Sequence, residues 1–253
     1  MAVGTFTAPR TVTATRYVTP LREGGSLPGL VEADDDGLYV LKFRGAGQGI
    51  KALVAEVIAG ELARVLGLAV PEIVVMEVDP ALGAAEPDPE IQELITGSAG
   101  ANIALDFLPG ALPYTPAAGF QPTADLAAEI VWLDALVSNV DRTPRNPNLL
   151  VWHEQLWLID HGAALYFHHR DWDPEADAQR PFAGIADHVL LPAAAPILEA
   201  DERLAARLTP EAVRAAVDAV PAGWADSERY IAYLTRRLSA PRAFAEEAER
   251  VGV

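Results

Sequence analysis

At 253 residues, 51% of them hydrophobic, the chain can bury a sizeable core in one large domain or two lobes, and without cysteine it forms neither disulfides nor thiolate metal sites. A formal charge of −17 with no visible basic patch argues against nucleic acid as a partner. No run of about 18 apolar residues could span a bilayer, and "MAVGTFTAPRTVTATRYV" lacks the charged-then-apolar order of a secretory signal, so a cytoplasmic protein without a membrane partner is expected.

From Tyr17 to about Phe107, short strand-like runs dominate. "GGSLPGLVEADDDGLYVLKF" predicts a β-hairpin around Asp34-Asp35-Asp36-Gly37, because an Asp-Gly unit tolerates positive φ between β-prone segments. After a Gly-rich break, "GIKALVAEVIAGELARVLG" places apolar residues at 50, 53, 54, 57, 58, 62 and 65, which is helical spacing, with Gly67 as its stop. "PEIVVMEV" predicts another strand, the acidic, Pro-rich "DPALGAAEPDPE" a solvated loop, and "ANIALDFLPGALPY" a strand ending at Pro109-Gly110. A boundary placed there gives a strand-rich part, 1–107, and a helix-rich part, 108–253. In the second part Thr123 can cap the helix "ADLAAEIVWLDALVSN", and "NLLVW" and "QLWLID" form a small hairpin around His153-Glu154.

That hairpin organises the chemistry. Asp141 and Asn146 precede its first strand and Asp160 ends its second, so folding back brings all three to one rim. Such a trio suits phosphoryl transfer. One carboxylate orients the attacking hydroxyl and accepts its proton, while an amide oxygen and a second carboxylate hold Mg2+. Hard oxygen ligands favour magnesium over zinc. Lys42, one of only two lysines, lies on a strand that is apolar on both faces, where an ammonium needs a route to water or an anionic partner.

Asp141, Asn146, the hairpin and "IDHG" resemble the catalytic-loop and metal-loop pattern of protein-kinase-like folds, in detail the HipA family of bacterial serine/threonine kinases and the related phosphatidylinositol 3- and 4-kinase branch. "YVLKF" resembles the strand with the ATP-binding lysine, "GGSLPGLV" the Gly-rich turn over the phosphates, and "AEVIAGELARVLGLAVPE" the helix whose glutamate pairs with that lysine. The resemblance covers roughly residues 17 to 170. It implies an α+β, two-lobed protein-kinase-like fold: an antiparallel sheet with one helix in the N-lobe, and a mainly helical C-lobe with a small catalytic hairpin.

The same resemblance implies an ATP- and Mg2+-dependent kinase with a hydroxyl acceptor, expected to be a protein Ser/Thr. Asp141 would be the catalytic aspartate and Arg145 would offset charge on the moving phosphoryl group. Lys42, Glu56 and the turn Gly24-Gly25-Ser26 would hold ATP, and Asn146 and Asp160 the metal. Thr143 stands where these families usually carry histidine, the metal-loop triplet is Asp160-His161-Gly162, and Arg145 replaces a frequent lysine.

Two other function classes fit the same residues: a nucleotide-binding pseudokinase acting as an interaction module for a basic protein, and a small-molecule or inositol kinase. Helical phase alone selects Glu61 rather than Glu56 as the partner of Lys42, whereas the family pattern selects Glu56. Gly24-Gly25-Ser26 serves equally as a plain turn or as an anion cradle. His161, His168 and His169 read as surface histidines.

Overall fold

The computed structural model describes residues 8–21, 27–47, 49–117 and 119–252; the turn Gly24-Gly25-Ser26 lies outside them. Five strands, Thr11–Pro20 (β1), Gly29–Ala33 (β2), Leu38–Lys42 (β3), Ile73–Val78 (β4) and Gly100–Asp106 (β5), close into a barrel in the order β1-β2-β3-β5-β4. The expected hairpin is β2–β3, with Asp36 of its turn at φ 63°.

The sheet corrects the antiparallel expectation. β1 runs parallel to β4, pairing Thr11, Val12 and Thr13 with Val75, Met76 and Glu77, and this pairing joins the two strands that would otherwise be free edges. A second correction concerns the single expected helix of this part. Besides helix α1 (Ile50–Val65), residues Pro89–Gly97 form α2, preceded by a 3-10 turn at Pro80–Ala85. Asp79 accepts a hydrogen bond from the Ala81 N–H at 2.8 Å and Asp88 one from the Glu90 N–H at 3.0 Å, each just ahead of a proline. The acidic, Pro-rich composition read as loop is therefore two helix starts.

Strand alternation divides the barrel's residues between two cores. Val74, Met76 and Ala104 point inward with Val12, Val31 and Leu41, joined by Ile91 and Ile95 of α2. Ile73, Ile103 and Leu105 point outward into a larger core that contains α1 and the C-terminal helices. Lys42 pairs with Ile103, so it shares the outer face that meets α1. Helix α1 is buried without interruption from Leu53 to Ala63, enclosed on every side rather than amphipathic.

The rest of the chain is mainly helical. It comprises α3 (Ala124–Leu136), α4 (Pro174–Ala178), α5 (Ile197–Arg207), α6 (Pro210–Asp218), α7 (Ser227–Leu238) and α8 (Ala243–Gly252). Thr123 caps α3 by accepting from the Leu126 N–H at 3.2 Å. The small sheet is β6 (Leu112–Pro113), β7 (Leu149–Trp152) and β8 (Gln155–Leu158); both residues of its His153-Glu154 turn have positive φ, at 48° and 58°, as a tight hairpin of this kind requires. Among the described residues no helix is long and apolar enough to cross a membrane.

Candidate active site

The loop between α3 and β7 is fastened from below. Arg142 and Asp134, the latter in the last turn of α3, are fully buried, and the Arg142 Nε donates to Asp134 Oδ2 at 2.5 Å. The same oxygen meets His188 Nε2 at 2.9 Å, while Asp134 Oδ1 accepts from Asn139 Nδ2 at 2.9 Å. Burial alone would raise the Asp134 carboxyl, but the Arg142 guanidinium and His188 outweigh it and hold the group well below the usual carboxylate range. Arg142 Nη1 also donates to the carbonyl of Asn148, closing the loop on itself.

This anchor presents Asp141. The Asp141 N–H donates to Asn139 Oδ1 at 3.1 Å, and its Oδ2 accepts from Asn146 Nδ2 at 2.8 Å and Asn148 Nδ2 at 3.3 Å. Asn148 Nδ2 additionally donates to the Asp141 carbonyl at 3.0 Å. Asp141 is thus fixed through one oxygen, and Asn146, by spending its amide N–H here, keeps Oδ1 without a hydrogen-bond partner among the described residues. Arg145 is exposed and forms neither an ion pair nor a hydrogen bond with any described residue.

Across from this loop, Lys42 Nζ donates to Glu56 Oε2 and to Asp160 Oδ1, both at 2.5 Å. The Glu56 side chain is 0% exposed, that of Lys42 12% and that of Asp160 41%. Burial works against the Lys42 charge, but Asp160 and Glu56 outweigh it and raise the ammonium well above its ordinary range. Glu56 shows the converse. Burial pushes its carboxyl up, yet Lys42 and then His161 hold it well below the usual range, so the pair is charged. Glu61, which helical phase favoured, is buried elsewhere beside Arg64 at 3.8 Å. Asp160 stands in the left-handed region at φ 55°, ψ 63°. A non-glycine residue held there costs about 1–3 kcal/mol, a strain that concentrates at functional sites.

Lys42, Asp141 and Asp160 line one cavity of about 370 Å³ together with Ala46, Gly47, Gly49, Ala52 and Gly162. Of the residues expected at the site, Lys42, Glu56, Asp160, Asp141 and Asn146 are therefore brought together, in two hydrogen-bonded groups facing the same cavity. Arg145 does not line it, and Gly24-Gly25-Ser26 lies outside the described residues.

Sequence reasoning missed several residues. The break at 44–49, passed over as punctuation, supplies Gly47 and Gly49 at φ 46° and 67°, conformations that favour glycine, on the wall of this cavity. Asn148 and Asn139, the supports of Asp141, looked like ordinary turn residues. His161 and His168 are completely buried, not at the surface, because each lies in a short 3-10 turn packed beneath neighbouring helices.

Comparison with known proteins identifies the family. A family model described as HipA-like kinase matches residues 15–239. The chain belongs to the HipA-like kinase family. It is accordingly a kinase, a phosphotransferase. Among curated proteins, none matches this HipA-like kinase. Solved structures share its fold: the Helicobacter pylori proinflammatory kinase CtkA at TM-score 0.59 and 13% identity, covering 96% of this chain and 98% of that one. The Golgi casein kinase with Mn/ADP bound follows at TM-score 0.51 and 15% identity, covering 98% of this chain and 75% of that one.

Proposed function

We propose that this HipA-like kinase moves the γ-phosphoryl group of ATP, with Mg2+, to a hydroxyl of a protein serine or threonine. The observation that carries the reading is Lys42, a buried cation clamped between Glu56 and Asp160 on the wall of a cavity that Asp141 also lines. We read residues 1–107 and 108–253 as two lobes with this cavity between them. Its volume lies within the roughly 300–1,000 Å³ usual for small-molecule sites.

Each side chain has a task in this scheme. Lys42 contacts the α- and β-phosphates, and Glu56 keeps its ammonium charged and in place. The turn containing Gly47 and Gly49 lets backbone approach the phosphates closely, a role the expected Gly24-Gly25-Ser26 cradle would share. Asp141, held through Oδ2, uses Oδ1 to orient the acceptor hydroxyl and take its proton. Arg145, exposed beside Asn146, is free to turn toward the transferring group.

The donor set suits a hard cation. Asp160 supplies a carboxylate and Asn146 an uncommitted amide oxygen, and magnesium is typically held by one or two such protein groups plus phosphates. Among the described residues no cluster of three His, Cys, Asp or Glu could hold a metal alone, so the ion would arrive with the nucleotide. Bound there, Mg2+ would neutralise charge on the β- and γ-phosphates. The Mn/ADP complex of the Golgi casein kinase supports a nucleotide and divalent ion in this fold.

The test is incubation with γ-labelled ATP and Mg2+, alone and with protein acceptors, comparing wild type with Asp141→Ala. Label on serine or threonine that disappears in the variant is the expected result. Absence of both nucleotide binding and transfer in the wild type would overturn the reading.

A further inference from the structure

Beneath Lys42 lies a contact that the transfer scheme does not use. Glu56 gives one oxygen, Oε2, to Lys42 at 2.5 Å. Its other oxygen, Oε1, is 3.5 Å from Nδ1 of His161, and both side chains are completely buried. Glu56 Oε1 and both ring nitrogens of His161 have no hydrogen-bond partner among the described residues. A buried carboxylate oxygen without a donor is costly, and His161 Nδ1, 3.5 Å away, is a donor within reach of it.

His161 directly follows Asp160, the other carboxylate on Lys42. Two adjacent residues therefore approach the same ammonium by two routes, Asp160 by a direct hydrogen bond and His161 from behind Glu56, 3.5 Å from its Oε1. The routes are not equivalent once a nucleotide and its metal enter, because Asp160 is then shared with the ion. Lys42 is left with Glu56 as its remaining carboxylate, and the orientation of Glu56 falls to whatever holds Oε1.

We propose, resting on the nucleotide-site reading above, that His161 is a positioning residue: carrying a proton on Nδ1, it donates to Glu56 Oε1 and fixes the carboxylate so that Oε2 stays on Lys42 when ATP is bound. The ring acts through Glu56 and touches neither phosphate nor acceptor. Its second nitrogen, Nε2, is the bare one, which spares the interior an unpaired N–H.

Three variants separate positioning from space-filling. His161→Asn keeps an N–H near the Nδ1 position, His161→Gln moves it toward Nε2, and His161→Phe keeps the ring volume with no donor. His161→Phe should weaken ATP binding and raise KM for ATP about tenfold or more, the loss expected for one hydrogen bond to a charged group, with kcat changed far less. His161→Asn should stay within about twofold to threefold of wild type, and His161→Gln should resemble His161→Phe. A ring that only fills space predicts wild-type affinity for the Phe variant, and that result would overturn the proposal.

Long-range 15N–1H spectra of the wild type, which need no nucleotide, give the second readout. Protonated Nδ1 and bare Nε2 on His161 support the assignment, and the opposite tautomer refutes it even if His161→Phe fails to fold. A wild type that binds no ATP would instead sink the nucleotide-site reading, leaving the tautomer to decide this one.

Discussion

Replacing Lys42 by methionine keeps the length of the side chain and removes its charge. In the wild type the Glu56 carboxyl is held below its ordinary value of 4.5, so it contributes stability that is present above that value and lost as pH falls through its folded value. Without Lys42, burial is no longer outweighed and the carboxyl moves above 4.5. Ionisation then costs stability as pH rises, so the gap between variant and wild type widens from about pH 4.5 upward. Removing the partner of the fully buried Glu56 costs about 3–5 kcal/mol near neutrality, and the lost contact with the half-exposed Asp160 adds at most about 1 kcal/mol. For a chain of this size that is a fall in Tm of roughly 6–24 °C. Urea unfolding from about pH 4.5 to 8 on wild type, Lys42→Met and Lys42→Met/Glu56→Gln measures it; the double variant should recover most of the loss at about pH 7.5, because no unpaired buried charge remains. A Lys42→Met protein as stable as wild type at neutral pH, or a double variant no better than the single one, would refute the reasoning.

Asp141→Asn should lower the rate of phosphoryl transfer about 10²- to 10⁴-fold while ATP affinity, read by calorimetric titration, changes by no more than a few-fold. Asn148→Ala removes the second amide on Asp141 and should lower kcat about tenfold to a hundredfold at nearly constant KM for ATP, in steady-state kinetics. Burial, with His169 and Lys51 adding to it, lowers the His168 imidazole from its ordinary 6.5 to about 3. The fold therefore holds this ring neutral: its contribution is intact above pH 6.5 and is lost as the solution is acidified from 6.5 toward 3, by up to about 1.4 kcal/mol per pH unit. Urea midpoints of His168→Phe plotted against pH should fall less steeply across that window than those of wild type.

The site was legible where its chemistry is local. Asp141, Asn146 and Asp160 lie within one hairpin and its flanks, so period-two strands and a turn of positive φ were enough to bring them to one rim. Lys42 announced itself as a charge on a strand apolar on both faces. What lay beyond reach was set by contacts distant along the chain. β1 is largely exposed and carries no strong apolar alternation, and its place depends on parallel pairing with β4. The burial of α1 on every side erased the amphipathic stripe that would have told Glu56 from Glu61, and only the family pattern separated them. The start of α2 is written in Asp88-Pro89, a cap followed by a first-turn proline, but the same acidic, Pro-rich composition also suits a solvated loop. His161 and His168 looked superficial because histidine polarity says nothing about which helices will cover a 3-10 turn.

ATP titrations of wild type and Asp160→Asn, each with and without Mg2+, test the central claim that one cavity uses Lys42 for the phosphates and Asp160 with Asn146 for the metal. The account predicts that Mg2+ tightens ATP binding to the wild type and that Asp160→Asn retains metal-free binding while losing that gain. Mg2+-enhanced binding of equal size in the two proteins, or no ATP binding by the wild type under either condition, would contradict it.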